Sequence, residues 1–475
     1  YEDVTNIDSV GIITARQGIE VGTRPGIAAS ISVDGNVVFS GIATVGQFGK
    51  PGIAFTDTNV KVGNTALDSL TTGTHNTAVG NNALTADTTG SHNVAVGSGA
   101  LDANTTGNYN YALGKDALGA NTTGSVNVAI ANALTSNTTG ESNIAIGSNS
   151  LGDNTTGSQN VAVGRQALGD NTTANSNTAV GYNALLKNTT GTNNVALGAY
   201  SLDLNTTASH NTAIGTNALT LNTTGASNVS VGRGSLGSNT TASNNTAVGD
   251  MSLNANTTGT QNTAVGAYAL DSSTTGDYLT AIGTNALGTN TTGDYNTALG
   301  TQALYLNTTG SSNVAVGYDA LGDNTTASNN TAIGHGALLS NTTGQQNVAV
   351  GANALDANTT TGYMTAVGYQ ALGGNTTGEY SVAVGRQALL SNTTGTRHVA
   401  IGAEALEQNT TGNYCVAVGF KALESNNGSS SCAVGYQALL DQTTGASNDA
   451  FGFEAMRENT TGGDNNAFGY QSLQG

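Results

Sequence analysis

A phrase of 17 residues recurs along most of this chain, and the recurrence limits the possible folds more than any other feature. Residues 93–97 read Asn-Val-Ala-Val-Gly, and residues 110–114 read Asn-Tyr-Ala-Leu-Gly. Residues 59–475 hold 25 copies, the last one incomplete, and only the copies that begin at Asn127 and Cys415 are 16 residues long. A period of 17 is too short for a pair of helices and does not match a coiled-coil heptad. It suits one coil of a parallel β-solenoid.

The consensus is N-(T/V)-A-(V/I/L)-G-x-x-A-L-x-x-N-T-T-G-x-x, and we number its positions as columns 1 to 17. Column 3 is Ala except at Lys61 and Ser230, column 4 is always Val, Ile, Leu or Phe, and column 9 is Leu except at Met456. This pattern predicts a strand over columns 2 to 4, a turn at Gly-x-x, a second strand through Ala-Leu and a turn near Thr-Thr-Gly. The side chains of columns 4 and 9 are expected to stack from coil to coil as the core.

The predicted fold is all-β. Residues 59–475 form a parallel β-solenoid (β-roll) of about 25 coils with a 17-residue period, expected to be truncated at its C-terminal end. Residues 1–58 lie outside the array and are predicted to form a small β-rich N-terminal cap or connector over the open edge of the first coil. Because each coil advances ~4.8 Å, the rod should be on the order of 120 Å long.

Two columns carry further predictions. Asn is frequent in column 12 and should form an amide ladder along the axis, weaker at Leu70, Asp87, Ser273 and Gln442. The strand over residues 94–96 is apolar at three successive positions, a pattern typical of a strand covered on both faces. Since one coil has one interior, the column 3 alanines are expected to face another copy of the chain. The sequence therefore predicts a homo-oligomer.

Charge and cysteine content exclude several classes of protein. The net charge is −18, and the 12 basic residues form no cluster, which argues against binding of nucleic acid or of anionic membranes. No apolar stretch approaches the ~18 residues that a membrane span needs. The two cysteines, Cys415 in column 1 and Cys432 in column 2, should point to opposite sides of a strand and form no disulfide.

Several polar motifs have a chemical and a structural interpretation. The Asn-Thr-Thr triplets match the glycosylation acceptor, but their fixed column favours a structural turn. Ice binding needs an outward Thr array. One Thr of each adjacent pair is expected to point inward, so the sequence does not favour ice binding. His75, His92 and His210 share column 17 and would be metal ligands only if copies converged on a threefold axis; a solvated variable column is the favoured interpretation. No catalytic set or cofactor motif stands out, so no enzyme, cofactor or metal is predicted.

Tyrosines concentrate in columns 17 and 6. Exposed aromatic rings beside Asn and Asp suit contact with sugars, and they also suit lateral packing between chains, which is the favoured interpretation for most of them. The candidate glycan or lateral contacts in column 17 are Tyr109, Tyr278, Tyr295, Tyr363, Tyr380 and Tyr414.

These phrases resemble two families. "NVAVG" with its small-residue turn is similar to the head repeats of trimeric autotransporter adhesins, which are left-handed parallel β-rolls. The longer "NTAVGYNALLKNTTG" (residues 177–191) resembles repeats of bacteriophage tail-fibre and virion structural proteins. Residues 3–22 and 35–46 are similar to fibre segments of marine cyanobacterial phages.

The resemblance implies a structural fibre of a virion. It would be a stiff homotrimeric spacer at the virion surface, outside the cell, that presents a tip for binding a host receptor. Its partners would be other copies of itself, other fibre or baseplate proteins and, weakly along its sides, host cell-surface glycans. The alternative is a trimeric adhesin of a bacterial cell surface, which an outer-membrane anchor in the flanking sequence would favour.

Overall fold

The computed structural model describes residues 53–56 and 58–474, and over that part of the chain the protein is all-β. Nothing in the described part is a helix long and apolar enough to cross a membrane. The strands have three or four residues each. Their bounds are β1 Ile53–Thr56, β2 Asn59–Val62, β3 Thr77–Val79, β4 Val94–Val96, β5 Tyr111–Leu113, β6 Val128–Ile130, β7 Ile144–Ile146, β8 Val161–Val163, β9 Thr178–Val180, β10 Val195–Leu197, β11 Thr212–Ile214, β12 Val229–Val231, β13 Thr246–Val248, β14 Thr263–Val265, β15 Thr280–Ile282, β16 Thr297–Leu299, β17 Val314–Val316, β18 Thr331–Ile333, β19 Val348–Val350, β20 Thr365–Val367, β21 Val382–Val384, β22 Val399–Ile401, β23 Val416–Val418, β24 Cys432–Val434, β25 Asp449–Phe451 and β26 Asn466–Phe468.

Each strand from β2 onward pairs in parallel with the next strand of the chain. Val195 of β10 lies opposite Thr178 of β9 on one side and Thr212 of β11 on the other. The same register recurs in every coil, so β2 to β26 form one continuous sheet along the axis of the solenoid. The predicted parallel β-solenoid with a 17-residue period is confirmed.

The N-terminal cap predicted over residues 1–58 lies outside the described residues, apart from 53–56 and 58. Within that short stretch β1 runs antiparallel to β2, with Ile53 opposite Val62. The first parallel strand therefore has a hydrogen-bonded neighbour on its outer side.

Only one strand forms in each described coil, and the predicted second strand through Ala-Leu is wrong. The column 9 leucines have a left-handed backbone, with φ of 53° at Leu270 and at Leu304. This torsion turns the chain sharply, so that Ala-Leu forms a corner and directs the leucine inward. Hydrogen bonds between coils hold the corner, for example from the N–H of Leu84 to the carbonyl of Ala100 at 3.0 Å.

The column 5 glycine is required by the close approach of successive coils. At Gly249 φ is 139°, and a Cβ there would collide with the carbonyl of Gly266 in the next coil. Backbone in this region is open to glycine and strained for other residues. Ala131 occupies column 5 of a shortened coil, and it does so at a different φ of 72°.

The core contains the column 9 leucines, as predicted, but it is otherwise different from the prediction. Leu270 has no exposed surface, and Ala264 of column 3 is equally buried beside the leucine column. The alanines predicted to face a partner therefore lie inside their own chain. The column 4 side chains, predicted to be core, point outward, and Leu113 is 52% exposed. Neighbouring residues of a strand face opposite sides, so burying column 3 exposes columns 2 and 4.

The predicted amide ladder of column 12 is present. Nδ2 of Asn121 donates to Oδ1 of Asn104 in the preceding coil, at 2.8 Å, and to the carbonyl of Gly124, at 2.9 Å. The ladder continues at two of the positions expected to weaken it, since Asn104 donates to Asp87 and Gln442 donates to Asn426. It is interrupted at Ser273, whose buried hydroxyl has no partner among the described residues.

Column 1 forms a second amide ladder that the sequence analysis did not predict. Oδ1 of Asn110 accepts from the backbone N–H of Asn127 at 3.0 Å, while Nδ2 of Asn110 donates to the carbonyl of Gly124 at 2.8 Å. Two buried asparagines in most coils satisfy backbone groups that a coil this small could not pair otherwise. In five successive coils the column 1 residues are Met364, Ser381, His398, Cys415 and Ser431.

Candidate functional site

The outward side chains of columns 2 and 4 form a continuous surface, apolar along column 4 and mixed apolar and Thr along most of column 2, which we call the strand face. Among the described residues it carries no charge from Val60 to Val434, although the chain as a whole has a net charge of −18. Its large side chains are partly exposed, with Leu197 at 45% and Leu299 at 44%. The sequence signal for this face was the small residue that fills column 3 in every copy except the first, between two larger neighbours, which indicates that column 3 is the one facing a confined interior.

The strand face is larger than the apolar patches of ordinary monomers. Three strand residues span about 10 Å, and 25 strands at ~4.8 Å span about 115 Å, which gives roughly 1,100 Å². The largest apolar patch on a typical monomer is roughly 300–600 Å². About 800 Å² per partner is buried in a standard protein interface. The strand face therefore has the size and composition of a protein–protein interface.

The six candidate tyrosines of column 17 all lie on the surface and form partial rows. The ring centroids of Tyr278 and Tyr295 are 5.0 Å apart, and those of Tyr363 and Tyr380 are 5.1 Å apart, with nearly parallel planes. Their exposed fractions lie between 48% and 60%, for Tyr109, Tyr278, Tyr295, Tyr363, Tyr380 and Tyr414.

Other column 17 residues extend these rows. The guanidinium of Arg397 lies 5.5 Å from the ring centre of Tyr380 and 5.6 Å from that of Tyr414, and it donates to the hydroxyl of Tyr414. Tyr109 stacks on His92, which stacks on His75. In each stack, a ring has its face covered by the neighbouring ring, and only its edge and its polar atoms point outward. A sugar that packs on an aromatic face would reach only the ends of a stack, and the glycan contact stays a prediction.

A second aromatic group lies near the last described coils. Column 6 holds a row of four stacked rings, with neighbouring centroids 4.9–5.5 Å apart, formed by Phe420, Tyr436, Phe453 and Tyr470. On the strand face itself, Phe451 and Phe468 stack at 5.0 Å with an interplanar angle of 2°. The sequence analysis noted the tyrosines of column 6 but not the phenylalanines, which a search for any aromatic residue in a fixed column would find.

Carboxylates converge at one place in the described part of the chain. Carboxylate oxygens of Glu404, Glu407 and Glu424 lie within 4.8 Å of one another. Nζ of Lys421 lies 3.1 Å from Glu404 and 3.0 Å from Glu424, and Arg386 also pairs with Glu404. These cations account for the cluster as an ion-pair network.

Two buried titratable groups replace amides in the ladders. Burial raises the pKa of Asp87 to about 7, and its Oδ1 accepts from the backbone N–H of Gly90 and from Nδ2 of Asn104. Burial lowers the pKa of His398 to about 4, and its Nδ1 accepts from the backbone N–H of Cys415 at 3.3 Å. Each side chain therefore supplies the acceptor of the asparagine that it replaces, whereas Oδ2 of Asp87 and Nε2 of His398 have no hydrogen-bond partner among the described residues.

The Asn-Thr-Thr triplets form a corner of the coil. Asn104 is fully buried with its amide nitrogen hydrogen-bonded, so the folded solenoid does not offer this nitrogen to a glycan. Thr105 donates its hydroxyl to the carbonyl of Thr122, and Thr106 is exposed. The expectation that one Thr of each pair points inward is therefore wrong, because the chain turns between them.

The two cysteines are free, as predicted. Cys415 is buried in column 1, and Cys432 is half-buried on the strand face.

Comparison with models of known protein families and with curated proteins found no match to this chain.

Proposed function

We propose that this chain forms the rod of a virion fibre, a stiff extracellular spacer that holds a receptor-binding tip away from the particle. The observation that carries the proposal is the unbroken parallel sheet from β2 to β26. Every coil is hydrogen-bonded to the next through its strand and its corners, and most coils also through two amide ladders. Such an object resists bending and stretching along its axis, and a spacer needs that property.

The fibre is proposed to be a homotrimer. The argument for association rests on the strand face, because a largely apolar surface of roughly 1,100 Å², with no charge from Val60 to Val434, is unfavourable in water. The number of copies comes from the resemblance to trimeric fibres and adhesins. Other fibre or baseplate proteins would bind at the ends of the rod.

The proposed role is structural and not enzymatic. Near-identical coils present the same backbone surface at every level, so they do not define one unique site. Discrimination between hosts would require the tip, and the variable columns would add at most weak glycan contacts along the sides. Many weak contacts on one rod still add up by multivalency.

A competition experiment tests the spacer function. Purified residues 1–475 are added to host cells together with virions that carry the intact fibre, and adsorption is measured. We expect the rod to compete poorly, because strong recognition belongs to the tip. Blocking by the rod as effective as blocking by the intact fibre would refute the spacer role and make the tyrosine rows the receptor-binding surface.

A further inference from the structure

Column 4 of the strand face is aliphatic in every coil up to Val434, and this creates a problem for assembly. Column 4 in three successive coils is Val231, Val248 and Val265. A neighbouring copy that slipped by one coil, about 4.8 Å, would meet the same side chains again. Register is weakly specified between surfaces of this kind. Residues that break the repeat must therefore define the register.

The strand face has an apolar centre and a mixed rim. Column 4 is Val, Ile, Leu or Phe in all 25 copies, whereas column 2 also includes Thr, Tyr111, Cys432, Asp449 and Asn466. Interfaces are apolar at their centre and polar at their rim. Column 4 is accordingly the line of closest contact between copies, and column 2 lies nearer to solvent. The carboxylate of Asp449 is then placed at the rim, where water reaches it.

Column 4 departs from aliphatic side chains only at its last two positions. Phe451 and Phe468 are stacked on each other, and Phe468 is 70% exposed. No described residue of the preceding column 4 positions, from Val62 to Val434, is aromatic. This pair is the only aromatic part of column 4 among the described residues.

We infer that Phe451 and Phe468 fix the axial register between copies of this chain by packing against the same two residues of the neighbouring copies. The inference rests on the proposed homotrimeric fibre, with its copies running in the same direction. In register, the rings of the copies meet one another at one level and form aromatic contacts. After a slip of one coil, the Phe451 ring of one copy lies against the smaller Val434 of another, and an aromatic contact is lost.

Disulfide formation between neighbouring coils tests this inference. In the full chain with Cys432→Thr, one tagged version carries Val248→Cys and a second, differently tagged version carries Val265→Cys. The two versions are co-expressed and oxidised, and same-level and mixed disulfides are counted on a denaturing gel. Cysteines whose Cα atoms are more than about 7 Å apart do not form a disulfide without movement. The native Cys415 is buried and serves as an internal check on accessibility.

With the native phenylalanines we expect same-level disulfides to exceed mixed ones at least tenfold. Phe451→Val with Phe468→Val should bring the two products within about twofold of each other, since every slipped register then becomes nearly equivalent. Leu113→Val is the matched control: it trims a column 4 side chain at the other end of the strand face and should preserve the native ratio. Each variant is expected to keep its fold, because the altered side chains point outward. Circular dichroism verifies this.

The outcomes separate the two proposals. A monomer in light scattering would refute the proposed fibre. A trimer that forms neither disulfide would show that column 4 is not the line of contact and would overturn the register inference alone. The inference is also overturned if the double Phe variant keeps the native ratio, or if the native face already gives mixed disulfides as often as same-level ones.

Discussion

Single residues carry strain in this fold that the stacking of coils must offset. Leu270 and the other column 9 leucines adopt a left-handed backbone, which costs an L-residue roughly 1–2 kcal/mol. The cost recurs in almost every coil. It is tolerated because the same torsion fully buries the leucine, the largest buried side chain of the coil, which stacks on the leucines above and below.

Replacing one of these leucines tests the core assignment. Leu270→Asp would place a carboxylate in a fully buried, apolar position and should destabilise the surrounding coils by about 3–5 kcal/mol. Hydrogen exchange of residues 253–287 would report the loss. Leu221, in column 11, is 42% exposed, so Leu221→Asp should change stability by less than about 0.5 kcal/mol. Equal effects of the two substitutions would contradict the assignment.

Asp87 introduces a pH dependence into the first coils. Its Oδ2 is buried without a hydrogen-bond partner among the described residues. In other coils an asparagine occupies this position, and its Nδ2 donates to the carbonyl of column 15, as Asn104 does to Gly107. A neutral carboxyl can donate there, and a carboxylate cannot. The folded pKa of about 7 lies above the ordinary value of 3.8. The contribution of neutral Asp87 to the stability of the fold is therefore complete below pH 3.8 and is lost as the pH rises through about 7.

Asp87→Asn should remove this dependence. At pH 8 the variant is expected to be more stable than the native chain by at least ~1 kcal/mol, the contribution of about one hydrogen bond. The difference should shrink towards pH 4. Hydrogen exchange of residues 76–107 at the two pH values measures this difference in stability. A difference that stayed constant or widened on acidification would show that Asp87 is ionised in the fold.

At the scale of the structural element, the amide ladders join the coils through their interior. Asn307 donates to Asn290 at 2.8 Å and to Gly310 at 2.9 Å, and it accepts from Asn324 at 2.8 Å. Each asparagine thus connects three successive coils. Removing one leaves buried polar atoms unpaired above and below, so the damage extends past its own coil.

Asn307→Ala is expected to cost about 2–4 kcal/mol, because at least two buried groups lose their partners. Thermal or chemical unfolding should register this loss. Asn81 lies in the exposed column 6, and Asn81→Ala should be close to neutral. If the two variants unfolded alike, the ladder would contribute nothing to stability.

At the scale of the whole molecule, association through the strand face would give a filament with its apolar surfaces inside. Light scattering on the purified chain should give about three times 47.1 kDa. Val248→Asp with Val265→Asp places charges at the centre of the strand face and should produce monomers that keep the solenoid fold. Thr258→Asp with Thr275→Asp adds the same charges at an exposed corner and should leave the trimer intact. A native chain that ran as a monomer would remove the basis for the interface.

Much of the fold follows from the sequence alone. The period of 17, the invariant glycine after the strand and the leucine column together determine a parallel solenoid, because only stacked identical coils place each column upon itself. The column 12 ladder follows for the same reason, and so does the separation of Cys415 from Cys432, since adjacent residues of a strand face opposite sides.

The tertiary structure decided which side of each strand is the inside. Residues 94–96 are all apolar, so alternation along the strand does not distinguish the face of Ala95 from the face of Val94 and Val96. The available space makes the distinction: a 17-residue coil that already encloses a leucine and two asparagines has room at column 3 for a methyl group, or for the hydroxymethyl group of Ser230, and not for the larger side chains of columns 2 and 4. The left-handed leucine corner and the stacking of the column 17 rings also depend on contacts between coils. Such contacts exist only once the chain has wound upon itself.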